Sequence, residues 1–514
     1  MATAYILAFL LPHVLMTWTS ALPSNESTPL TFKAAVYEHI PFMARYTRSG
    51  YTRKQALELM NKNLAVYRNQ TVEAKRQGAQ IIVFPEDGIY GLAQSRRSIL
   101  PYLEKIPDPD TIQWSPCTDP YRFPNTEVQQ ALSCMAKESK IYLVANMGDL
   151  VPCLKYQDPK CPSEGRYQYN TDVAYGPDGR LLAKYHKRHL FYEYQFDTPE
   201  AKVVSFDTPF GRIGMMTCFD ILFKDPAVPM VRDHNITTIA FPTAWFDGLP
   251  LLTAMGFQSA FARGQGINLL AANIHLPRRK FHGSGIYTPK GVSNFYYDNN
   301  PDSPGKLLVS TIQKVNNPSE EIEKENNFRK TNNQQTHSDE FHSLVFKDMF
   351  TFRLVTGSSG NVNVCQGKVC CSLNYKISIT QGDLSLKTDI FALGAFDGLH
   401  KYKGQHYDQV CTLLKCADIN NKSSCGSPTI YSFTKFESLS LTGSFETNYV
   451  YPEMIFTDEF GQLKMAECGM STKDCSWTFN NKSMHASGPF MDTALLSATL
   501  FGRDYSRDGN GFQG

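Results

Sequence analysis

A chain of 514 residues exceeds one ordinary hydrophobic core and points to two or three domains. With 42% hydrophobic and 12% aromatic residues, it has ample material for globular folding. A formal net charge of +2 excludes nucleic acid or a strongly acidic surface as the main partner.

Residues 1–21 are a short apolar run ending in the small residues Ser20 and Ala21. They read as a signal peptide, although the usual positive charge ahead of the run is missing. No later stretch reaches the roughly 18 apolar residues that span a bilayer. The end of the chain, 501–514, is polar and does not resemble the tail that directs a lipid anchor. The expectation is a soluble, secreted, extracellular protein with no transmembrane segment and no lipid anchor. Asn25, Asn69, Asn235, Asn421 and Asn481 head Asn-X-Ser/Thr triplets and are glycosylation candidates on that route.

A first domain is expected over 31–310. Residues 32–37 read as a strand, and 53–77 as a helix with Ala56, Leu57, Met60, Leu64 and Tyr67 at three- and four-residue steps. A buried strand follows at 80–84, making a βαβ unit. The rhythm continues with a helix at 127–139 and a strand at 141–146. Hairpins are predicted around Pro177-Asp178-Gly179 and Thr208-Pro209-Phe210-Gly211. A strand at 238–241, a helix at 252–263 and a strand at 268–272 complete the pattern. Residues 316–338 turn to Asn, Gln, Glu, Lys and Ser, the composition of a solvated linker. Beyond it, 345–503 carries short aromatic and β-branched runs with eight cysteines, and reads as a mostly β domain stapled by disulfides.

Thirteen cysteines leave at least one sulfur unpaired within the chain. Cys117, Cys134, Cys153 and Cys161 form one even group. Cys365, Cys370, Cys371, Cys411, Cys416, Cys425, Cys468 and Cys475 form another. Cys218 lies alone between them, and no spacing suits a zinc finger. An apolar strand ends at Cys218, and a helix-compatible segment follows. A helix N-terminus there favours thiolate over thiol.

Two other strands end in chemistry, with Glu86 closing one and Lys187 another. A carboxylate that takes a thiol proton, an ammonium that steadies an oxyanion and a nucleophilic sulfur are the parts for cleaving an amide through a thioester. The rival readings are a catalytically silent binding protein, and a cysteine protease relying on His186, His189 or His275.

These residues sit in longer motifs: Phe84-Pro85-Glu86-Asp87-Gly88-Ile89-Tyr90-Gly91, Tyr185-His186-Lys187 and Thr217-Cys218-Phe219-Asp220-Ile221-Leu222-Phe223. With Phe241-Pro242-Thr243-Ala244-Trp245 and 392–400, they resemble the nitrilase superfamily of carbon–nitrogen hydrolases, in its vanin/biotinidase branch. The resemblance implies an α/β fold, a four-layer αββα sandwich followed by a β-rich base domain. It implies Glu86 as general base, Lys187 as oxyanion stabiliser and Cys218 as nucleophile, with Glu193 near the place of a supporting glutamate. It calls for no metal and no cofactor, only a small-molecule amide substrate. Residues 167–173, 273–275 and 411–416 look like vanins, which split pantetheine. Residues 84–89 and 266–273 lean towards biotinidases, which release biotin from biotinyl-lysine; of the two, pantetheine is the expected substrate.

Overall fold

The computed structural model describes residues 30–45, 50–92, 94–315, 338–378, 389–402, 404–465, 476–480, 482–488 and 493–509. The signal-peptide stretch 1–21, Asn25, Asn481, Cys468, Cys475 and 316–337 of the expected linker lie outside them.

The chain begins with β1 (Thr31–Glu38), α1 (Arg53–Arg76), β2 (Ile81–Val83), α2 (Glu127–Ser139), β3 (Tyr142–Pro152), β4 (Arg166–Tyr175) and β5 (Leu181–His186). It continues through β6 (Ser205–Thr208), β7 (Gly211–Met215), α3 (Ala227–Arg232), β8 (Thr238–Thr243), α4 (Ala254–Gln265) and β9 (Asn268–Asn273). β10 (Ser284–Thr288), β11 (Gly291–Tyr296) and β12 (Lys306–Gln313) end this part. Two six-stranded sheets result, ordered β12-β1-β2-β3-β4-β5 and β11-β10-β9-β8-β7-β6. In each, three neighbouring strands are parallel: β1, β2 and β3 in one, β7, β8 and β9 in the other.

The layers follow from side-chain alternation along the strands. Ala35, Tyr37 and Ile82 pack with Ala56, Met60, Leu64 and Leu132 of α1 and α2. Their neighbours Ala34, Val36, Ile81 and Val83 face the other way and join Ile213, Ile239 and Leu269 of the second sheet. α4 packs on the far face of that sheet, giving the αββα sandwich that the resemblance implies. Local chemistry fixes the helix ends. Thr52 and Gln55 cap α1 reciprocally, and Gly266, at φ +69°, ends α4 in the left-handed conformation.

Residues 338–509 are mostly β, as expected, in a seven-stranded and a five-stranded sheet. Three disulfides staple them: Cys365–Cys370, Cys371–Cys411 and Cys416–Cys425. Two more, Cys117–Cys134 and Cys153–Cys161, lie in the first part. The strand Val450–Thr457 lies directly on α4. A methyl group at Gly264 would come within 2.7 Å of the Val450 carbonyl oxygen, and backbone cannot swing aside. Gly264→Ala is therefore expected to destabilise the protein by about 1–3 kcal/mol, read as a lowered midpoint in denaturant; an unchanged midpoint would mean this contact is loose. Thr253 donates to Glu453 at 3.1 Å and Gln265 to the Tyr451 hydroxyl at 2.9 Å across the same junction. Among the described residues, no helix is long and apolar enough to cross a membrane.

Candidate active site

Glu86 stands three residues beyond β2, Lys187 directly after β5, and Cys218 three residues after β7. All three are buried, Glu86 and Lys187 at 1% exposure, which rules out a solvated loop acid and a surface basic cluster. Lys187 Nζ donates to Glu86 Oε1 at 2.7 Å and also bonds Glu193. Burial alone would strip the charge from Lys187, but Glu193 and Glu86 together hold its ammonium well above the usual lysine range. Burial raises the Glu193 carboxyl, against the pull of Lys187.

Asn170, which the motif reading assigned no role, bridges the two acids. Its amide donates to Glu86 Oε1 at 2.8 Å and to Glu193 Oε2 at 2.7 Å. Asn146 donates to the Asn170 carbonyl at 2.6 Å, which fixes the direction of that amide. Asn146 also donates to Asp172 at 2.8 Å, and Asp172 accepts from the Thr217 hydroxyl at 2.6 Å. One hydrogen-bonded path therefore runs from the residue before the cysteine to the lysine. Asn170 and Asp172 share a face of β4, and such polar pairs are poor strand formers. That misfit is the sequence signal that could have found them. The other Glu86 oxygen accepts from the Ala244 N–H at 2.8 Å, just past the end of β8.

The expected helix after Cys218 is absent; residues Cys218–Leu222 form one 3₁₀ turn, and α3 begins only at Ala227. Such a turn has little macrodipole, and the thiol behaves accordingly. Burial, reinforced by Glu86, pushes Cys218 well above the ordinary thiol range, while Lys187 and the Thr243 hydroxyl pull the other way. Burial thus favours the thiol, opposing the preference for thiolate that a helix N-terminus or Lys187 would give. The Cys218 backbone is strained, at φ +45°. Asp87 (φ +56°) and Tyr192 (φ +55°), beside the two glutamates, share that conformation. Among the described residues Cys218 is the free cysteine.

Asp220 closes the turn, accepting from the Thr217 N–H at 3.1 Å, the His189 N–H at 2.8 Å and the Tyr185 hydroxyl at 2.7 Å. Burial raises its carboxyl to about 7. At the turn's other end, the Leu222 carbonyl accepts from the buried Arg503 Nε at 2.8 Å, so the C-terminal sheets hold the Cys218 loop.

The histidines of the protease reading bond elsewhere: His186 to Asp149, His189 to the Asp225 carbonyl, and His275 to Glu38 and Ser303. Cys117, Cys134 and Glu138 cluster closely enough to suggest a metal, but the two sulfurs are bonded to each other. Of the glycosylation candidates, Asn69, Asn235 and Asn421 are exposed.

Cys218 opens into a cavity of about 120 Å³, far above the 10–15 Å³ that one buried water needs. Phe191, Phe219, Leu222, Trp245 and Leu252 line one side. Phe346, His400, Tyr402 and His406 close it from the C-terminal sheets. Phe346 reaches in from a two-residue turn with Lys347, where both residues have positive φ, at +51° and +71°.

Lys187→Ala is expected to cut turnover by more than roughly tenfold, as loss of one oxyanion partner does. It also strips two buried carboxylates of their cation, which in comparable pairs costs about 3–5 kcal/mol of stability. Steady-state kinetics and a denaturant melt on the same preparation read both; near-normal turnover would remove Lys187 from the chemistry.

Residues 49–251 match the carbon-nitrogen hydrolase family, and residues 339–508 match the vanin C-terminal domain. Over 482 residues the chain is 45% identical to the pantetheinase of Mus musculus, covering 93% of this chain and 90% of that one. Over 542 residues it is 38% identical to the biotinidase of Rattus norvegicus, covering 98% and 99%. Among solved structures, an amidase from Nesterenkonia sp. aligns with 55% of this chain and 91% of its own, at 18% identity and a TM-score of 0.37. The chain belongs to the vanin and biotinidase branch of the carbon–nitrogen hydrolases.

Proposed function

We propose that this protein hydrolyses pantetheine to pantothenate and cysteamine, with Glu86 as base, Lys187 as oxyanion stabiliser and Cys218 as nucleophile. The observation that supports the chemistry is a buried Lys187–Glu86–Glu193 array near enough to the free Cys218 to act on it electrostatically, with Cys218 itself in the cavity wall. Glu86 takes the proton from Cys218 Sγ as sulfur adds to the amide carbonyl. Lys187 meets the charge that develops on the carbonyl oxygen. The C–N bond breaks as Glu86 returns the proton to the departing amine, leaving an acyl thioester. Glu86 then takes a proton from water, whose oxygen adds to the thioester carbon, and the C–S bond breaks as Glu86 returns that proton to sulfur, freeing the acid and the thiol. Glu193 and Asn170 position this array: both bond Glu86 or Lys187 directly.

For the substrate, the support is the higher identity to pantetheinase than to biotinidase. Biotinyl-lysine hydrolysis is the lesser alternative. A side-by-side assay of pantetheine and biotinyl-lysine, read as the ratio of kcat/KM values, decides; a ratio favouring biotinyl-lysine overturns the pantetheine reading. The same proposal puts the protein outside the cell. Five disulfides support that, since such bonds persist in oxidising compartments.

A further inference from the structure

The two histidines in the cavity's C-terminal wall differ in their partners. His400 and His406 close the ladder between strands Phe391–His400 and His406–Lys415, their rings stacked 4.5 Å apart. Both nitrogens of His400 meet acceptors, the Asp348 carboxylate and the Tyr402 carbonyl, so both carry hydrogen. Burial opposes that charge, but Asp348 outweighs it and raises His400. His406 is the opposite case. Its Nδ1 bonds Asp408 at 2.8 Å, while burial, with Arg503 and the His400 cation, holds it below the ordinary histidine range. A neutral ring that donates from Nδ1 keeps a lone pair on Nε2.

That edge of the ring is left open by a glycine. A methyl at Gly404 would sit 3.6 Å from His406 Nε2 and 3.0 Å from Phe219 Cζ, a cavity residue. Most of the remaining lining is aromatic or aliphatic and cannot tell one polar chain from another. During the reaction the amine departs while the acyl chain stays bonded to Cys218, which lines this cavity, so the cavity wall is within reach of the acyl chain.

We propose that His406 is a specificity-determining residue, its Nε2 accepting a hydrogen bond from a hydroxyl or N–H on the acyl chain of the substrate. This rests on amide hydrolysis at Cys218. Pantothenoyl hydroxyls and the biotinyl ureido N–H both supply such a donor, and separate substrates distinguish them.

The test measures kcat/KM for pantetheine, biotinyl-lysine and N-pentanoyl-cysteamine, whose acyl chain has no donor. The wild-type protein is expected to prefer at least one donor-bearing amide over the pentanoyl amide by roughly tenfold or more. His406→Phe keeps a stacked ring but no acceptor, and should bring that ratio towards one, chiefly through KM. His406→Gln, which can offer a carbonyl near the same place, should restore part of it. If His406→Phe fails to fold, His406→Leu, which likewise offers no acceptor, must collapse the ratio instead. A preference that survives in the folded variant, or was absent in the wild-type protein, overturns this inference alone. Inertness to all three amides overturns the amidase reading and this inference with it.

Discussion

Cys218→Ser is expected to lower kcat by roughly 10³-fold or more, as removing the nucleophile of a catalytic unit does elsewhere. The substitution is nearly isosteric in a buried site, so folding should be little changed and the loss assignable to chemistry. Mass spectrometry of the wild-type protein quenched during turnover should show one acyl group added, on the peptide that contains Cys218. Absence of that adduct, or residual activity within tenfold of wild type, would return the chain to the reading of a silent binding protein.

Glu86→Gln should cost about 10²–10⁴ in kcat/KM, the range for a lost general base. Burial favours the protonated sulfur, so a group that removes that proton should matter to the rate. The amide is also a poor replacement in this setting. One Glu86 oxygen faces the donors Lys187 and Asn170 and the other faces the Ala244 N–H, so either orientation of a glutamine points N–H at N–H. Rapid-quench kinetics should find no early burst of amine in the variant, because acylation itself is slowed. A full burst followed by a trapped thioester would confine Glu86 to the second half-reaction. Glu193→Gln is the control, and its loss should be the smaller one.

Most of the sandwich was legible because its elements obey simple periods. α1 and α2 carry apolar residues at helical steps, and β1 and β2 are short apolar runs between turn signals. The Glu86, Lys187 and Cys218 positions stood out as chemistry-bearing residues just past such runs. Two things were hidden. Asn146, Asn170 and Asp172 become neighbours only through strand pairing, Asn146 lying opposite Asp172 in the ladder. The cavity wall from Phe346 to His406 lies more than a hundred residues beyond Cys218, and no local pattern announces it. The influence of burial on the thiol was hidden for a related reason. The sequence displays the lysine that favours thiolate, but burial, the stronger influence, belongs to the folded molecule.

Burial of that sulfur bears on its survival beside the five cystines among the described residues. Peroxides, alkylating agents and mixed-disulfide partners attack the anion, and burial here disfavours it. Cys218, buried in a cavity whose other wall comes from the C-terminal sheets, is shielded from such reagents.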